Sequence, residues 1–141
     1  MKQKIYLDHI GIATPSLDLN APFWELLGLE NHGVDEVVAE QGVTTRFFST
    51  SQFTDNSMPP KIELLEPTEE DTPVGRFIKK RGPGVQQVCF RVENLLEMIS
   101  TMIANGVTMI DESPRIGAGG KKIAFVHPKS TGGVLVELTQ Y

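Results

Sequence analysis

The sequence predicts an α+β fold of two tandem βαβββ modules whose strands form a curved mixed sheet around a central trough. The first observation is an internal repeat, because segments around His9 and Gln87 each begin a strand that precedes a helical stretch and further strands. The second is that each half closes on a glutamate, Glu63 or Glu137, flanked on both sides by aliphatic residues. A duplicated unit with metal-capable side chains at matching points indicates a site built from both halves.

The first module is expected to cover about residues 5–67. Its helical stretch ends at Gly28, and because Pro22 removes a backbone donor, we expect the helix itself to begin near Asn20. Alternation and β-branched residues predict the strands. They are residues 5–13, 36–39, 44–49 and 61–65, with a polar loop over residues 51–60.

A linker helix is predicted within about residues 68–84, with Thr72 as its N-cap and Pro73 in its first turn. The second module, about residues 85–141, carries a helix that Asn94 caps and that ends near Gly106. The whole chain is then one domain of two modules. The predicted strands of the second module are residues 85–92, 107–111, 121–127 and 133–139.

Composition narrows the class of protein. A formal net charge of −5 over 141 residues gives no basic surface for nucleic acid. The sequence contains no apolar run near the roughly 20 residues that span a bilayer, and its N-terminus lacks the apolar core of a signal peptide. Cys89 is the only cysteine, which suits a reducing compartment. We therefore expect a cytoplasmic protein that acts on, or binds, a small molecule.

Strand alternation places four metal-capable side chains opposite the apolar face of the predicted sheets. Burial of two carboxylates is costly unless they are paired, hydrogen-bonded or bound to a metal. A divalent cation would balance both, with one nitrogen and three oxygen ligands and open positions for water or substrate. For any one of the four a structural role is commoner, so their match across the repeat is what indicates a metal. They are His9, Glu63, Gln87 and Glu137.

Several motifs resemble those of the vicinal oxygen chelate superfamily and, within it, the methylmalonyl-CoA epimerases. The resemblance covers nearly the whole chain, and its most specific part is the C-terminal tail. The motifs are Asp8-His9-Ile10-Gly11-Ile12-Ala13, Glu40-Gln41-Gly42-Val43, residues 61–67 and the tail over residues 114–138.

The resemblance implies a metal held by His9, Glu63 and Glu137, with Gln87 at the place where the family normally has a histidine. An oxygen-rich ligand set favours cobalt, manganese or magnesium over zinc. The implied activity is epimerisation of methylmalonyl-CoA or a related acyl-CoA thioester, by α-proton abstraction and a metal-stabilised enolate. Glu137 is the first candidate for acid/base catalysis and Glu63 the second. Some epimerases carry another glutamate where this chain has Thr45.

Two basic segments are candidates for substrate binding. Backbone amides and charge around Lys121 and Lys122 could receive a CoA phosphate, and Lys129 and Ser130 could meet phosphates or the substrate carboxylate. A glycine-rich hairpin and a solvated turn explain the same residues equally well. Two other functions stay open: a glyoxalase I-like lyase or isomerase, and a metal-free protein that binds an antibiotic or another small ligand. The family also implies a homodimer.

Overall fold

The computed structural model describes residues 2–31, 33–51 and 58–141. The chain divides into two compact units. The first unit consists of residues 9–86, and the second of residues 1–8 together with residues 87–141. Among the described residues, no helix combines the length and apolar character needed to cross a membrane.

In the first unit, the strands pair in the order β2-β4-β5-β1, and β3 also pairs with β4. β1 runs parallel to β5, whereas β4 is antiparallel to β2, β3 and β5. A parallel first strand needs a crossover, and a helix supplies it. The elements are β1 (Ile5–Ala13), α1 (Leu17–Leu27), β2 (Glu30–Asn31), β3 (Glu36–Val38), β4 (Val43–Ser49), β5 (Lys61–Pro67) and α2 (Pro73–Arg81).

The second unit repeats this plan with the strand order β6-β9-β8-β7. β6 runs parallel to β9, and β8 is antiparallel to both β9 and β7. Each unit therefore pairs its first strand in parallel with its last, and the predicted α+β class is confirmed. The elements are β6 (Gly84–Val92), α3 (Leu95–Ala104), β7 (Arg115–Ile116), β8 (Lys122–Val126) and β9 (Val136–Gln140).

Helix α1 begins at Leu17, so the predicted start near Asn20 is wrong. The Ser16 side chain accepts a hydrogen bond from the backbone N–H of Leu19, which satisfies one of the unpaired donors at the helix end. This cap outweighs the donor lost at Pro22, which lies in the interior of the helix. Gly28 ends the helix as predicted, in the left-handed conformation with a φ of 111°.

Two predicted strands of the second unit were placed wrongly. Over residues 107–111 only Met109 forms a bridge, to Val126, because the Asp111 side chain accepts the N–H of Phe125 that a ladder would use. The strand predicted from residue 133 begins at Val136, since Gly132 and Gly133 have positive φ angles. The two-residue strands β2 and β7 were not predicted. Of the predicted loop at residues 51–60, residues 52–57 lie outside the described part.

Each unit packs its helix on one face of its strands. In the first unit Leu17 and Ala21 of α1 contact Phe48 and Leu64, and in the second unit Leu95 and other residues of α3 form the equivalent core. Each fully buried side chain of this kind contributes about 1.5–3 kcal/mol. The opposite face of each set of strands is therefore available for polar groups.

Candidate functional site

His9 and Glu63 form a buried pair in the first unit. In the parallel β1/β5 ladder the partner of Glu63 is Gly11, two residues beyond His9. The His9 Nε2 and Glu63 Oε1 atoms are 3.1 Å apart, and the two residues are 6% and 4% exposed. A carboxylate this deeply buried requires a compensating group, and the imidazole nitrogen is the group that lies beside it.

Gln87 and Glu137 form the corresponding pair in the second unit. The partner of Glu137 in the parallel β6/β9 ladder is Cys89, two residues beyond Gln87. The Gln87 Nε2 atom donates a hydrogen bond of 3.3 Å to Glu137 Oε1, and both residues are buried. The offset between the glutamate and its partner is therefore the same in both units.

This shared offset is the structural counterpart of the sequence repeat. A parallel ladder with the same register places a glutamate diagonally opposite a nitrogen- or oxygen-bearing side chain in each unit. The structure thus brings His9 to Glu63 and Gln87 to Glu137, pairs that strand alternation alone did not specify. Each pair consists of one carboxyl group and one nitrogen-bearing, metal-capable side chain.

Apolar residues flank both carboxylates. Phe47 lies opposite Glu63 across β4 and β5, and its ring meets the His9 ring edge-on with centroids 5.6 Å apart. In the second unit Glu137 lies between the fully buried Cys89 and Phe125 on the neighbouring strands. Such surroundings have a low dielectric constant, so electrostatic interactions of these carboxylates are stronger than they would be in water.

The donor atoms present fit a hard or borderline divalent cation. Imidazole nitrogen, carboxylate oxygen and amide oxygen are accepted ligands of manganese, cobalt and magnesium. Gln87 directs its NH₂ group at Glu137, and half a turn about the terminal torsion of its side chain would present the amide oxygen instead. Each pair can therefore supply two ligands to a cation without introducing a net positive charge of its own.

The predicted substrate-binding residues occupy different surfaces of the second unit. The Lys121 Nζ atom lies 3.9 Å from the centre of the Tyr141 ring. Lys122 is the first residue of β8. Strand alternation places its side chain on the face opposite Phe125 and Glu137. The Ser130 hydroxyl accepts the backbone N–H of Thr108 at 2.9 Å, which fixes a turn.

Lys129 lies in the same short 3₁₀ helix as Ser130, Pro128–Ser130, and its backbone N–H donates to His127 Nδ1 at 3.0 Å. This contact engages the backbone of Lys129 and leaves its exposed ammonium group outside the turn. The binding roles of Lys121, Lys122, Lys129 and Ser130 stay predictions.

A cluster of aromatic and charged residues in the second unit was not predicted. The Arg91 guanidinium lies 4.8 Å from the Tyr6 ring centre and 4.9 Å from that of Tyr141. The Tyr141 hydroxyl donates a 2.5 Å hydrogen bond to the buried Asp8 carboxylate. Arg91 follows Gln87 and Cys89 on the same face of β6, which alternation could have shown, but its ring partners lie at opposite ends of the sequence.

Two units that each run from a strand through a helix into further strands, each with a buried glutamate beside a nitrogen-bearing side chain, define a class of α+β proteins whose sites suit metal ions. A family model described as Glyoxalase/Bleomycin resistance protein/Dioxygenase superfamily matches residues 8–125. The chain therefore belongs to this superfamily, which confirms the predicted family.

Similar proteins refine that assignment. The chain is 42% identical to the Bacillus subtilis protein YqjC, over 95% of this chain and 91% of that protein. It is 37% identical to the mitochondrial methylmalonyl-CoA epimerase of Dictyostelium discoideum, over 95% of this chain and 77% of the relative.

Among solved structures, a Streptomyces coelicolor methylmalonyl-CoA epimerase variant in complex with 2-nitronate-propionyl-CoA is 35% identical with a TM-score of 0.89. The match covers 96% of this chain and 93% of that one. The predicted resemblance to methylmalonyl-CoA epimerase, an isomerase, is confirmed.

Proposed function

We propose that this protein is a metal-dependent epimerase of methylmalonyl-CoA or of a related acyl-CoA thioester. The observation that carries the proposal is the pair of buried glutamates, Glu63 and Glu137, held at the same register position in the two units. The similarity to methylmalonyl-CoA epimerases supports the substrate class.

We expect a divalent cation, with cobalt, manganese or magnesium favoured over zinc, to take His9, Glu63, Gln87 and Glu137 as its ligands. The two carboxylates would balance its charge, which removes the cost of their burial. Bound there, the cation supplies a Lewis acid that polarises a thioester carbonyl and a neighbouring carboxylate. The repeat and the shared register offset support one common ligand set.

Glu137 is the first candidate for the acid/base group. As a carboxylate it would remove the α-proton of the substrate, which leaves the electron pair on the carbon framework as an enolate. Glu63 is the second candidate, and its Oε1 atom lies 3.1 Å from His9 Nε2. Inversion also requires a proton donor on the other side of the α-carbon.

Lys121, Lys122, Lys129 and Ser130 are proposed to contact the phosphates of CoA or the substrate carboxylate. All three lysines carry a positive charge that suits these anions. A reducing, cytoplasmic location and a homodimer also stay predictions.

A metal-free ligand-binding protein is the second candidate, and one observation favours it. The Gln87 amide already donates to Glu137, so this carboxylate has a partner without a cation. A glyoxalase I-like lyase or isomerase would need the same metal ligands as the epimerase, so the substrate alone separates those two.

The proposal is tested by isotope exchange. Purified protein is incubated with methylmalonyl-CoA in deuterated water, with and without added Co²⁺ or Mn²⁺, and deuterium at the α-carbon is followed by mass spectrometry. We expect exchange that depends on the metal and exceeds the rate in buffer, because the enolate must pick up solvent deuterium. Absence of such exchange would rule out the epimerase.

Glu137→Gln is the matched variant for this experiment. Its amide cannot accept the α-proton, so we expect exchange to fall by about 10²-fold or more. Circular dichroism and the melting temperature check that the fold is retained. Full activity in this variant would remove Glu137 from the acid/base role.

A further inference from the structure

An epimerase needs a second acid/base group, and the first unit contains an unassigned candidate. This inference rests on the proposed function. It starts from Thr45 on β4, which is 1% exposed and whose hydroxyl has no hydrogen-bond partner within the described part of the chain. An unsatisfied buried hydroxyl costs about 1–3 kcal/mol, and valine would fill the same space without that cost. The hydroxyl is therefore available to donate a hydrogen bond to a neighbouring carboxylate that comes within reach.

Glu36 lies directly opposite Thr45 in the antiparallel β3/β4 ladder. Directly opposite residues project to the same face, with Cβ atoms about 4.5–5.5 Å apart. Glu36 is partly buried, and its side chain projects from β3 on the same side as that of Thr45. The carboxylate and the hydroxyl are thus neighbours on one face.

That face is the one that carries the metal-capable pair of the first unit. Phe47, two residues beyond Thr45, lies opposite Glu63, and its ring contacts the His9 ring. Strand alternation puts Thr45 and Phe47 on the same side of β4. Glu36 therefore lies on the face of His9 and Glu63, one strand beyond Thr45.

The remaining carboxylate of β3, β4 and β5 is unsuitable. Glu66 lies opposite Thr44, on the other face of β4. Its Oε1 atom accepts the backbone N–H of Leu17 at 3.0 Å and so stabilises the start of α1. In these three strands, Glu36 is the carboxylate that shares the face of Glu63.

We propose that Glu36 is the second acid/base group of the epimerase and that the Thr45 hydroxyl positions its carboxylate against the substrate. In one direction Glu36 takes the α-proton: the C–H bond breaks, an O–H bond forms, and the electron pair stays on the substrate as the enolate. A protonated carboxyl on the opposite side then donates its proton to the same carbon. The two groups exchange protonation states, and proton exchange with water restores them.

The test separates proton exchange from inversion. Each epimer of methylmalonyl-CoA is incubated separately in deuterated water with Co²⁺, and both α-deuterium and the opposite epimer are measured. In Glu36→Gln we expect inversion to fall about 10²-fold or more. Glu137 can still remove and return the α-proton of the epimer whose C–H bond faces it. The rate of deuterium exchange into that epimer should therefore stay within a few fold of the rate in the unsubstituted protein.

Control variants exclude a structural explanation. Glu40→Gln, an exposed glutamate in the 3₁₀ turn Ala39–Gln41, should leave both rates unchanged. Glu36→Gln should keep the melting temperature and the Co²⁺ affinity, measured by calorimetry, since Glu36 is not a metal ligand. Glu36→Asp, which retracts the carboxylate, should give intermediate inversion and carries the test if the glutamine variant does not fold.

Thr45 is tested as a positioning residue. Thr45→Val should lower inversion about tenfold with no loss of melting temperature, and Thr45→Ser should restore the rate because it restores the hydroxyl. An inversion rate in Thr45→Val equal to that of the unsubstituted protein would contradict this role.

Three outcomes are distinguishable. If the unsubstituted protein shows no metal-dependent exchange, the epimerase itself is wrong. If it exchanges and inverts normally while Glu36→Gln inverts at the same rate, only the role of Glu36 is overturned. If Glu36→Gln loses deuterium exchange with both epimers equally, the proposal that Glu36 acts on only one face of the α-carbon is also wrong.

Discussion

Gln87 is the residue at which the two halves of the site differ most in chemistry. His9 offers an imidazole nitrogen to Glu63, whereas Gln87 offers an amide to Glu137. An imidazole binds first-row transition metals more strongly than a neutral amide does. The amide therefore weakens the site for cobalt and keeps the metal-free alternative open.

We predict that Gln87→His raises the affinity for Co²⁺ by about tenfold, or ~1.4 kcal/mol. The affinity is measured by calorimetry and by the visible absorption of the bound ion. Gln86→His is the matched control, because Gln86 adjoins Gln87 but projects to the other face of β6. Equal affinity in the Gln87 variant and the unsubstituted protein would show that residue 87 is not a ligand.

Strand alternation placed the two glutamates opposite the apolar face, together with His9 and Gln87, but could not predict Glu36. A strand was expected over residues 36–39, and the observed β3 is Glu36–Val38. The sequence of so short a strand does not fix its register against β4. That register follows from the turn at Gly42, whose φ is 64° and where a Cβ would lie 2.6 Å from the Thr72 side chain. Contacts so distant in sequence are invisible to a local pattern.

At the scale of elements, Arg46 ties α1 to the segment before β3. Its guanidinium donates to both carboxylate oxygens of Asp35 at 2.6 and 2.7 Å, and to Asp18 of α1 at 3.1 Å. The hydrogen bonds from Arg46 hold the pKa of Asp35 below its usual value. Planar two-point contacts of this kind fix geometry better than single ion pairs.

We predict that this contact makes the fold sensitive to acid. The pKa of Asp35 is lowered on folding, so its contribution to stability is complete above the ordinary value of 3.8 and is lost as the pH falls through the lower folded value. Asp35→Asn should reduce the free energy of unfolding at pH 7 by roughly 1 kcal/mol or less, because the pair is partly exposed. Urea unfolding at pH 7 and at pH 3 measures both values.

Asp71→Asn is the control for the acid effect, since Asp71 contacts Arg76 on an exposed surface. Its unfolding free energy should change little at either pH. If the difference between Asp35→Asn and the unsubstituted protein is as large at pH 3 as at pH 7, the Arg46 contact does not cause the acid sensitivity.

Helix ends were predicted well where capping residues decide them and poorly where two signals compete. Thr72 and Asn94 cap α2 and α3 as expected, each accepting a backbone N–H from three residues on. At α1 the expected start rested on Pro22 alone, whereas the structure caps the helix at Ser16. The strand predicted over residues 107–111 was wrong because the Asp111 side chain accepts a backbone N–H that a strand partner would accept. Sequence alternation does not reveal such a contact.

For the whole molecule, the internal repeat was the most reliable signal in the sequence. It predicted the fold class, and each unit has a parallel pair of strands with its glutamate at the same offset. It could not show the cluster around Arg91, because the matching position in the first unit is Ala13. An internal repeat predicts the features that both units share, and it cannot predict features that occur in one unit alone.

If one cation binds the four proposed ligands, it should stabilise the native chain. An ion that binds only the folded state at a hundredfold excess over its dissociation constant adds about 2.7 kcal/mol to the free energy of unfolding. For a chain of this size we predict a rise in melting temperature of roughly 10 °C with Co²⁺. Calorimetry with and without the ion measures this shift.

Glu63→Gln and Glu137→Gln decide whether the four ligands act together. If one ion uses both pairs, either substitution should remove most of the Co²⁺-dependent rise, because each deletes one of two balancing charges. Glu40→Gln and Glu112→Gln, at exposed positions of the two units, should keep it in full. A rise of about half the original size in each glutamate variant would mean that the pairs bind separate ions, which would contradict a common ligand set.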